Sequence, residues 1–596
     1  MSARRYLLIF LLVIHIASPA FAQQSRFKVL AFYSATAETD HVQFAQTALT
    51  FLKERAVTEN FTFEATTRWA DLNDDNLKTV QLVIWLNESP TGPEQRQAFE
   101  RYMQRGGAWL GFHAAGYNDE RTNWPWYVDF LGGAVFHINS WPPLPARILL
   151  DDRSHPIAVG IPDAFESPAN EWYVWKPSPR LDKDVKVLAT FDPANYPIGL
   201  KDVLSSGDLP VVWTNTKYKM LYMNMGHGDK IFTSPVQNRL IDNAVNWLGT
   251  GAQPGITPEA SGIQISPRGI VLNPRTHKVY AVNTRQGTVT VFDREGHIAA
   301  SVQVGARPVS IAVNADTNRI YVANSGDGTV TVLDAKTDAP VAKVAVGELP
   351  YVVAVNPAND KVYVARTFSN VMTVIDGKTN ATSSLKPGAQ ADAIAVNAAT
   401  NKLYLVVYES TNVTVLDATD NRISEVPAEM HLWAIATNSA NNKVYATSVG
   451  SSNVVVLDGE FKKSTLVPTG GIPCALAIDS STGRVYVANN TGNSVTVIDG
   501  TNNSVIRTIE VGERPQGLAV DSGNHKVYAA NTHSGTTTVI DGSTNSVVAT
   551  LPTGAWPTAI VVDSDTHKAY VSSLGGDQLT VIDGTTLTVF TPTPKQ

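Results

Sequence analysis

The chain has 596 residues, too many for a single hydrophobic core, so at least two domains are predicted. Apolar residues make up 43% of the chain and charged residues 17%, which excludes a disordered protein. The formal charge of −7, without basic stripes between aromatic residues, excludes a general nucleic-acid-binding protein.

Residues 1–22 have the pattern of a secretory signal peptide. Arg4 and Arg5 precede an apolar run over residues 6–16, and residues 20–22 form an A-x-A cleavage motif. The run is too short to span a bilayer as a helix, and no later run of the chain is long enough. We therefore expect an exported protein, periplasmic or extracellular, with no transmembrane anchor after signal cleavage.

Strands and helices alternate over residues 25–250. The segments RFKVLAFYS, VQLVIWLNE and GAWLGFH are typical of buried strands. The spacing of Phe44 and Phe51 predicts a helix after the first strand. A second helix is predicted with Pro93 in its first turn and Gly106 near its end. This alternation predicts an α/β domain with a mostly parallel sheet covered on both faces.

The segment GAWLGFHAAG is the strongest indication of chemistry in this domain. An apolar strand ends in a turn of small residues, which is where ligand crevices form in open α/β sheets. The related G-x-S-x-G turn presents a nucleophile on a strained bend between strand and helix. Here the bend carries His113, so an imidazole takes the place of the nucleophile.

His41, His113 and His227 each come shortly after a predicted strand, so we expect them to share one crevice. An imidazole acts as general base, general acid or metal ligand near neutral pH. We predict catalytic roles for His113 and His227, with Glu171 as their partner acid. Substrate-binding roles are predicted for His41, His137, Trp124 and Trp172, the tryptophans as flat platforms for sugar rings. In contrast, His155 in SHPI is predicted to be a structural loop residue.

The sequence identifies neither a metal nor a cofactor, because the spacings H-E-x-x-H and C-x-x-C are both missing. A metal held by the histidines stays open as a hypothesis. Cys474, the single cysteine, lies in an apolar strand and is predicted to be a small buried residue.

The segments GAWLGFHAAG, NWPWYVDFLGGAVF, SHPIAVGIPDAF, NEWYVW and PVVWTNTKYKMLYMNMGHG follow one another in the order and spacing of a known family. Over about 225 residues the chain resembles the trehalose-utilisation (ThuA-like) family. The resemblance implies a flavodoxin-like fold similar to class I glutamine amidotransferases, and a link to sugar metabolism. In those amidotransferases the elbow residue is a cysteine; here it is His113, so glutamine amide hydrolysis is not supported.

Residues 251–262 are rich in Gly, Pro and Ala and are predicted to be an interdomain linker. Residues 263–596 are an array of repeats, each with two strand-like segments of alternating polarity. A four-strand unit of this period is typical of a β-propeller blade. The units are marked by tyrosines 41 or 42 residues apart: Tyr280, Tyr321, Tyr363, Tyr404, Tyr445, Tyr486, Tyr528 and Tyr570.

The copies of YVAN at residues 321–324 and 486–489 carry a resemblance to the YVTN-family β-propeller repeat. Eight units predict eight blades, with seven as the alternative because that family is often seven-bladed. The recurring tyrosine is predicted to pack between blades. Three histidines precede the tyrosine strand at the same repeat position and are predicted to be solvated loop residues: His277, His525 and His567.

These patterns predict an exported carbohydrate-related protein. Its ThuA-like domain would bind or transform a sugar or glycoside, and its propeller would recognise a protein or cell-surface partner. The alternative is a non-enzymatic binding or scaffold protein of the cell envelope, because the elbow has no Ser or Cys nucleophile.

Overall fold

The computed structural model describes residues 25–594 except for short gaps. The predicted signal peptide and the linker at 251–262 lie outside the described residues. No helix in the described part of the chain combines the length and apolar character needed to cross a membrane. The gaps are 120–121, 140–142, 192–208, 251–266, 285, 367–368, 389–390, 408–409, 439–440, 459–463, 555 and 574–577.

The N-terminal domain is built on one nine-stranded sheet of order β2-β1-β3-β4-β11-β10-β9-β6-β7. Its strands are β1 (Lys28–Phe32), β2 (Thr62–Thr66), β3 (Leu82–Trp85), β4 (Ala108–Phe112), β6 (Leu144–Leu150), β7 (Ala164–Asn170), β9 (Val185–Phe191), β10 (Pro210–Asn215) and β11 (Lys219–Met223). A separate antiparallel pair joins β5 (Phe136–Asn139) and β8 (Tyr173–Trp175).

Only half of this sheet is parallel. Strands β2, β1, β3, β4 and β11 run parallel, whereas β10, β9, β6 and β7 are joined in antiparallel register. The connection from β10 to β11 is three residues long, 216–218, and such a short turn can join only antiparallel neighbours. The prediction of a mostly parallel sheet is therefore correct for the first five of these strands and wrong for β10, β9, β6 and β7.

Helices cover both faces of the sheet. Helices α1 (Thr39–Thr58) and α5 (Pro235–Thr250) pack on one face, and α3 (Pro93–Gln104) and α4 (Pro125–Phe130) on the other. A short helix, α2 (Asp74–Leu77), lies before β3. As predicted, Pro93 opens α3, and Gly106 follows its end with a positive φ of 89°. The alternating residues of β1 divide between the two cores, as a pleated strand requires.

His155 is a structural residue in this fold, as predicted. Its Nδ1 accepts a hydrogen bond from the Ile157 amide at 3.4 Å, and its ring lies edge-on to Trp247 with centroids 4.5 Å apart. Burial lowers the pKa of His155 to about 4. The folded state therefore disfavours the charged imidazole.

We expect this histidine to make the domain sensitive to acid. The unfolded chain takes up the proton near pH 6.5, before the folded chain does, so the free energy of unfolding should fall as pH drops from about 6.5 to about 4, by at most about 3 kcal/mol. Urea unfolding across this range should show a smaller pH slope for His155→Gln than for the wild type. Equal slopes would contradict the assignment.

The C-terminal domain is an eight-bladed propeller, which confirms eight blades over seven; each blade is a four-stranded antiparallel sheet. Blade 1 comprises β12 (Pro267–Asn273), β13 (Lys278–Asn283), β14 (Thr288–Phe292) and β15 (Ile298–Gln303), and blade 2 comprises β16 (Pro308–Asn314), β17 (Arg319–Asn324), β18 (Thr329–Asp334) and β19 (Pro340–Ala345). Blade 3 comprises β20 (Pro350–Asn356), β21 (Lys361–Arg366), β22 (Met372–Asp376) and β23 (Thr382–Leu385), and blade 4 comprises β24 (Ala393–Asn397), β25 (Lys402–Val406), β26 (Asn412–Asp417) and β27 (Arg422–Pro427). Blade 5 comprises β28 (Leu432–Asn438), β29 (Lys443–Ser448), β30 (Asn453–Leu457) and β31 (Ser464–Pro468), and blade 6 comprises β32 (Pro473–Asp479), β33 (Arg484–Asn489), β34 (Ser494–Asp499) and β35 (Val505–Glu510). Blade 7 comprises β36 (Pro515–Asp521), β37 (Lys526–Asn531), β38 (Thr536–Asp541) and β39 (Ser546–Pro552), and blade 8 comprises β40 (Pro557–Asp563), β41 (Lys568–Ser573), β42 (Gln578–Asp583) and β43 (Thr588–Phe590).

The repeated tyrosines join neighbouring blades. All eight side chains are at most 1% exposed. The Tyr280 hydroxyl donates to Asp338 of the next blade at 2.8 Å. A tyrosine also joins the last blade to the first, because the Tyr570 hydroxyl of blade 8 donates to the Asp293 carbonyl of blade 1 at 3.5 Å. The Ile298 amide also donates to the Thr593 carbonyl at 3.0 Å, so the chain end returns to blade 1. The predicted packing role of the repeated tyrosines is confirmed. Cys474 is buried, as predicted.

The three loop histidines of the propeller contact an aspartate of the preceding blade. The Nδ1 atoms of His277, His525 and His567 lie 3.0, 3.1 and 2.8 Å from Asp563, Asp479 and Asp521, respectively. The three residues lie in turns, and their side chains are 18%, 39% and 34% exposed, so they are partly solvated loop residues as predicted and also pair with an aspartate. Each histidine has a positive φ and joins two blades, a relation that a single repeat does not reveal.

The propeller also contacts the second half of the N-terminal sheet. Arg307 Nη2 lies 3.7 Å from Asp151 Oδ2, just after β6. The Arg147 guanidinium lies 5.2 Å from the ring centre of Trp556. Trp433 packs against the N-terminal core. Propeller residues thus meet strand β6 and the segment that follows it.

Candidate functional site

The candidate site lies at the carboxyl ends of the parallel strands, where open α/β sheets place ligands. His113 directly follows β4, and His227 follows β11 at a short distance. His41 lies in the first turn of α1, after β1. The ring centroids of the three histidines lie 5.3, 5.0 and 5.7 Å apart. The predicted convergence of these imidazoles on one crevice is thus present.

His113 occupies a strained bend. Its φ of 40° falls in the left-handed region that L-residues other than glycine rarely adopt. Its side chain is fully buried, and the Tyr222 hydroxyl donates to its carbonyl at 2.9 Å. This is the geometry of a nucleophile elbow with an imidazole at the apex.

Asn224 fixes the protonation of the His113 ring. Its amide is oriented by two hydrogen bonds, because Nδ2 donates to the Tyr173 carbonyl at 2.8 Å and Oδ1 accepts from the Tyr173 amide at 3.2 Å. His113 Nδ1 lies 3.3 Å from the Asn224 carbonyl and 3.4 Å from its Oδ1. Both atoms are acceptors, so Nδ1 carries a proton.

Glu171 lies at the centre of the histidines. Its Oε2 is 3.1 Å from His113 Nε2, 3.8 Å from His227 Nε2 and 4.0 Å from His41 Nε2. Its other oxygen, Oε1, accepts a hydrogen bond from Asn139 Nδ2 of β5. We call these four residues, His41, His113, Glu171 and His227, the His–Glu cluster.

The charges of the cluster follow from its burial. Burial, together with the neighbouring His113 and His227 rings, lowers the pKa of His41 to about 4. Burial and the nearby His113 also lower the pKa of His227. Burial by itself would raise the pKa of Glu171, but hydrogen bonds from His113 and Asn139 outweigh it and lower the pKa. At neutral pH the cluster therefore combines a carboxylate with neutral His41 and His227 rings.

A pocket of about 840 Å³ opens beside the cluster, within the range of small-molecule sites. His41 and Tyr173 line it, and the Tyr173 ring packs on His113 with centroids 3.9 Å apart. Polar and apolar atoms contribute about equally to the wall, which suits a ligand that has both hydroxyl groups and an apolar face. The remaining lining residues are Asn87, Glu88, Ser89, Thr91, Arg96, Ala114, Tyr117, Asp119, Thr122 and Asn123.

Three residues predicted to bind substrate lie elsewhere. Trp124 is buried against Tyr127, with stacked rings 4.7 Å apart, and Trp172 is buried against Phe191. Both are core residues that do not line the pocket, because their apolar surface completes the packing of helices and strands. His137 lies in β5 with an exposed side chain and is not among the lining residues either. Tyr117 and Tyr173 provide the aromatic wall instead.

Asparagines that sequence reasoning missed hold the site together. Asn170 Oδ1 accepts from the amides of Gly226 and His227, both at 3.0 Å. Asn87 Nδ2 donates to the His41 carbonyl at 3.1 Å. In the sequence, Asn170 directly precedes Glu171, and Asn87 and Asn224 stand close after apolar strands. A polar residue at the carboxyl end of a buried strand is the signal that would have found the latter two.

Gly226 has no side chain, and the His113 side chain occupies the space beside it. A Cβ atom on Gly226 would lie 2.6 Å from His113 Cβ, closer than real contacts allow. We expect Gly226→Ala to displace His113 and lower the free energy of unfolding by about 1–3 kcal/mol. Urea unfolding would measure the loss, with Gly269→Ala as control, because its nearest neighbours are side-chain methyl groups at 3.3 Å. Equal stability of the two variants would contradict this packing role.

The cluster also has the chemistry of a metal site. The ligand atoms of His41, His113 and Glu171 all lie within 4.8 Å of one another, as do those of Glu38, His41 and His227. A third group of this kind lies in the propeller at His277, Asp563 and Asp565.

The fold and site define a two-domain protein in which an α/β domain with a buried His–Glu cluster precedes an eight-bladed propeller. The family model ThuA, described as trehalose utilisation, matches residues 28–248, and a YNCE-like β-propeller model matches residues 296–591. A ThuA-like protein from Bacteroides uniformis ATCC 8492 is 48% identical, with 39% of this chain and 95% of that chain covered and a TM-score of 0.37. The chain belongs to the ThuA family through its N-terminal domain.

Two other solved structures share little sequence with the chain. Hydrazine synthase from Kuenenia stuttgartiensis is 18% identical, with 48% of this chain and 99% of that chain covered and a TM-score of 0.40. The dihydro-heme d1 dehydrogenase NirN is 16% identical, with 61% and 84% covered and a TM-score of 0.47. A search of curated proteins returned no match.

Proposed function

We propose that the N-terminal domain binds a sugar or glycoside in this pocket and transforms it by acid–base catalysis with the His–Glu cluster. The observation that carries the proposal is the meeting of three imidazoles at one buried carboxylate beside a pocket with both polar and apolar walls. The family description, trehalose utilisation, supports a carbohydrate as the ligand class.

In the proposed chemistry, His41 is the group that reaches the ligand. It lines the pocket, so a sugar bound there would contact its ring. Since its pKa is about 4, the ring is neutral at pH 7 and ready to accept a proton. Glu171 would stabilise the imidazolium that forms, as its carboxylate lies 4.0 Å from His41 Nε2.

The propeller is proposed to be the recognition module of an exported protein, for a protein or cell-surface partner. Support for export comes from the pattern of residues 1–22. The propeller has no assigned chemistry in this proposal.

Proton NMR in D₂O of the full chain with a panel of monosaccharides and glycosides, trehalose included, tests the proposal. Hydrolysis, isomerisation, elimination and exchange of a carbon-bound proton each change the spectrum, so the reaction type need not be known beforehand. We expect one member of the panel to be converted. No conversion together with no binding across the panel would overturn the proposal.

Ligand binding without catalysis is the second candidate. It is favoured by the histidine at the elbow, where related turns carry a nucleophile. A sugar that raises the melting temperature but stays chemically unchanged would support this function over the first.

A further inference from the structure

We infer that the His–Glu cluster is a binding site for a first-row divalent transition metal such as Zn²⁺, with His41, His113 and Glu171 as its ligands. The inference concerns the site of the proposed function and rests on it for the role of the metal, which would be to polarise the bound sugar. With the ion bound, the lone pair of His41 would hold the metal instead of accepting a proton. Neither the elbow motif nor any spacing in the sequence assigns this site.

The arrangement of the ligand atoms carries the inference. One carboxylate oxygen of Glu171 has the Nε2 atoms of three histidines around it, at 3.1, 3.8 and 4.0 Å. In a tetrahedral zinc site the ligand atoms stand about 3.3 Å apart, since the bonds are about 2.0–2.1 Å long. The ligand atoms of His41, His113 and Glu171 all lie within 4.8 Å of one another, which gives the three protein ligands of a zinc site whose fourth position is open to a bound molecule.

The protonation of His113 points in the same direction. Its Nδ1 is committed as a donor to Asn224, so a neutral ring would face Glu171 Oε2 with the Nε2 lone pair at 3.1 Å. Two acceptors at this distance repel unless a proton or a cation lies between them. A donor bond from the distal ring nitrogen to a backbone carbonyl is also the usual support of a metal-bound histidine.

A metal ion accounts for the whole cluster better than protons do. A proton on His113 would satisfy one contact with Glu171 but leave His41 Nε2, which is buried and has no hydrogen-bond partner among the described residues. Protonating a second ring would place two positive charges about 5–6 Å apart in a buried site. One divalent ion would engage the His41 and His113 rings and the carboxylate together.

The site has support and access. Asn139 Nδ2 donates to Glu171 Oε1 and thereby holds Oε2 toward the histidines. His41 lies at the border between the cluster and the pocket, so a ligand in the pocket would approach the ion from that side. The group His277, Asp563 and Asp565 is the rival site, but Asp565 is 72% exposed and His277 already pairs with Asp563.

The test uses the full chain, stripped with a chelator and titrated with Zn²⁺ by calorimetry and with Co²⁺ by visible absorption. Elemental analysis of the untreated protein accompanies the titrations. We expect one Zn²⁺ per chain and a Co²⁺ spectrum typical of nitrogen and oxygen ligands. Loss of a supporting residue costs about 10–100-fold in metal affinity, and His41→Gln and Glu171→Gln should weaken Zn²⁺ binding by more than that. The matched variant His277→Gln should bind as the wild type does.

Melting curves of each metal-free variant show whether it folds, and the Co²⁺ spectrum of the wild type stands even if a variant does not. Absence of Zn²⁺ and Co²⁺ binding by the wild type, or its loss only in His277→Gln, would overturn the inference. Sugar conversion by the chelated protein at the full rate would overturn the inferred role of the metal and leave the proposed function intact. Metal binding without sugar conversion would leave the metal site intact and overturn the proposed function.

Discussion

Glu171→Gln should reduce the kcat for the converted sugar by about 10²–10⁴-fold, the range that positioned acid–base groups contribute. Glutamine keeps the shape of the side chain but removes the charge that faces His41, His113 and His227. An imidazolium formed in the pocket would then lose its counter-charge. Initial rates from proton NMR at saturating sugar would measure the effect.

The control for this variant is Glu64→Gln on strand β2, whose carboxylate is 54% exposed and pairs with Lys28. It changes the same chemical group far from the pocket and should leave kcat unchanged. Melting curves separate loss of catalysis from loss of fold. A Glu171→Gln protein that melts like the wild type and converts the sugar at the wild-type rate would contradict the role of the cluster.

Asp151→Ala should lower the free energy of unfolding by about 3–5 kcal/mol, the cost of breaking a buried ion pair. Asp151 Oδ2 accepts hydrogen bonds from Arg180 and Thr190, both at 2.6 Å, and faces Arg307 of the propeller at 3.7 Å. Burial alone would raise the pKa of Asp151, but the two guanidinium groups outweigh it and hold the pKa well below its usual range. The carboxylate thus stabilises the fold above pH 4, and the contribution is lost as pH falls below the unfolded value.

Urea unfolding at pH 7 would measure the loss, with Asp75→Ala as the control. Asp75 also pairs with a cation, Lys78, but its side chain is 88% exposed, so its removal should cost less than about 1 kcal/mol. Arg307→Ala gives the share that the propeller contact contributes. Equal losses for Asp151→Ala and Asp75→Ala would show that the buried network does not stabilise the protein.

The sequence predicted those features that rest on periodicity and on local turn chemistry. The 41- or 42-residue spacing of the tyrosines was enough for eight blades, because each unit repeats the same four strands. Pro93 and Gly106 marked the ends of α3. His41, His113 and His227 could be placed together because parallel strands end at one edge of a sheet. Each of these relations lies within about 40 residues or follows from a general rule of folds.

Relations between distant segments were not predictable in this way. The antiparallel half of the sheet follows from how β6, β7 and β9 pair, which alternating strands and helices do not specify. Trp124 looked like a sugar platform because exposure cannot be read from its neighbours. Asn139 and Asn224 act on Glu171 and His113 across 32 and 111 residues, so only the folded chain reveals them.

The most direct test of the central claim is a crystal structure of the slow variant Glu171→Gln with the sugar that the wild type converts. We predict that the sugar lies in the pocket, with a hydroxyl group or glycosidic oxygen within hydrogen-bond reach of the His41 ring and one face toward Tyr173. A sugar bound on the propeller instead, with the pocket beside the His–Glu cluster empty, would contradict the account.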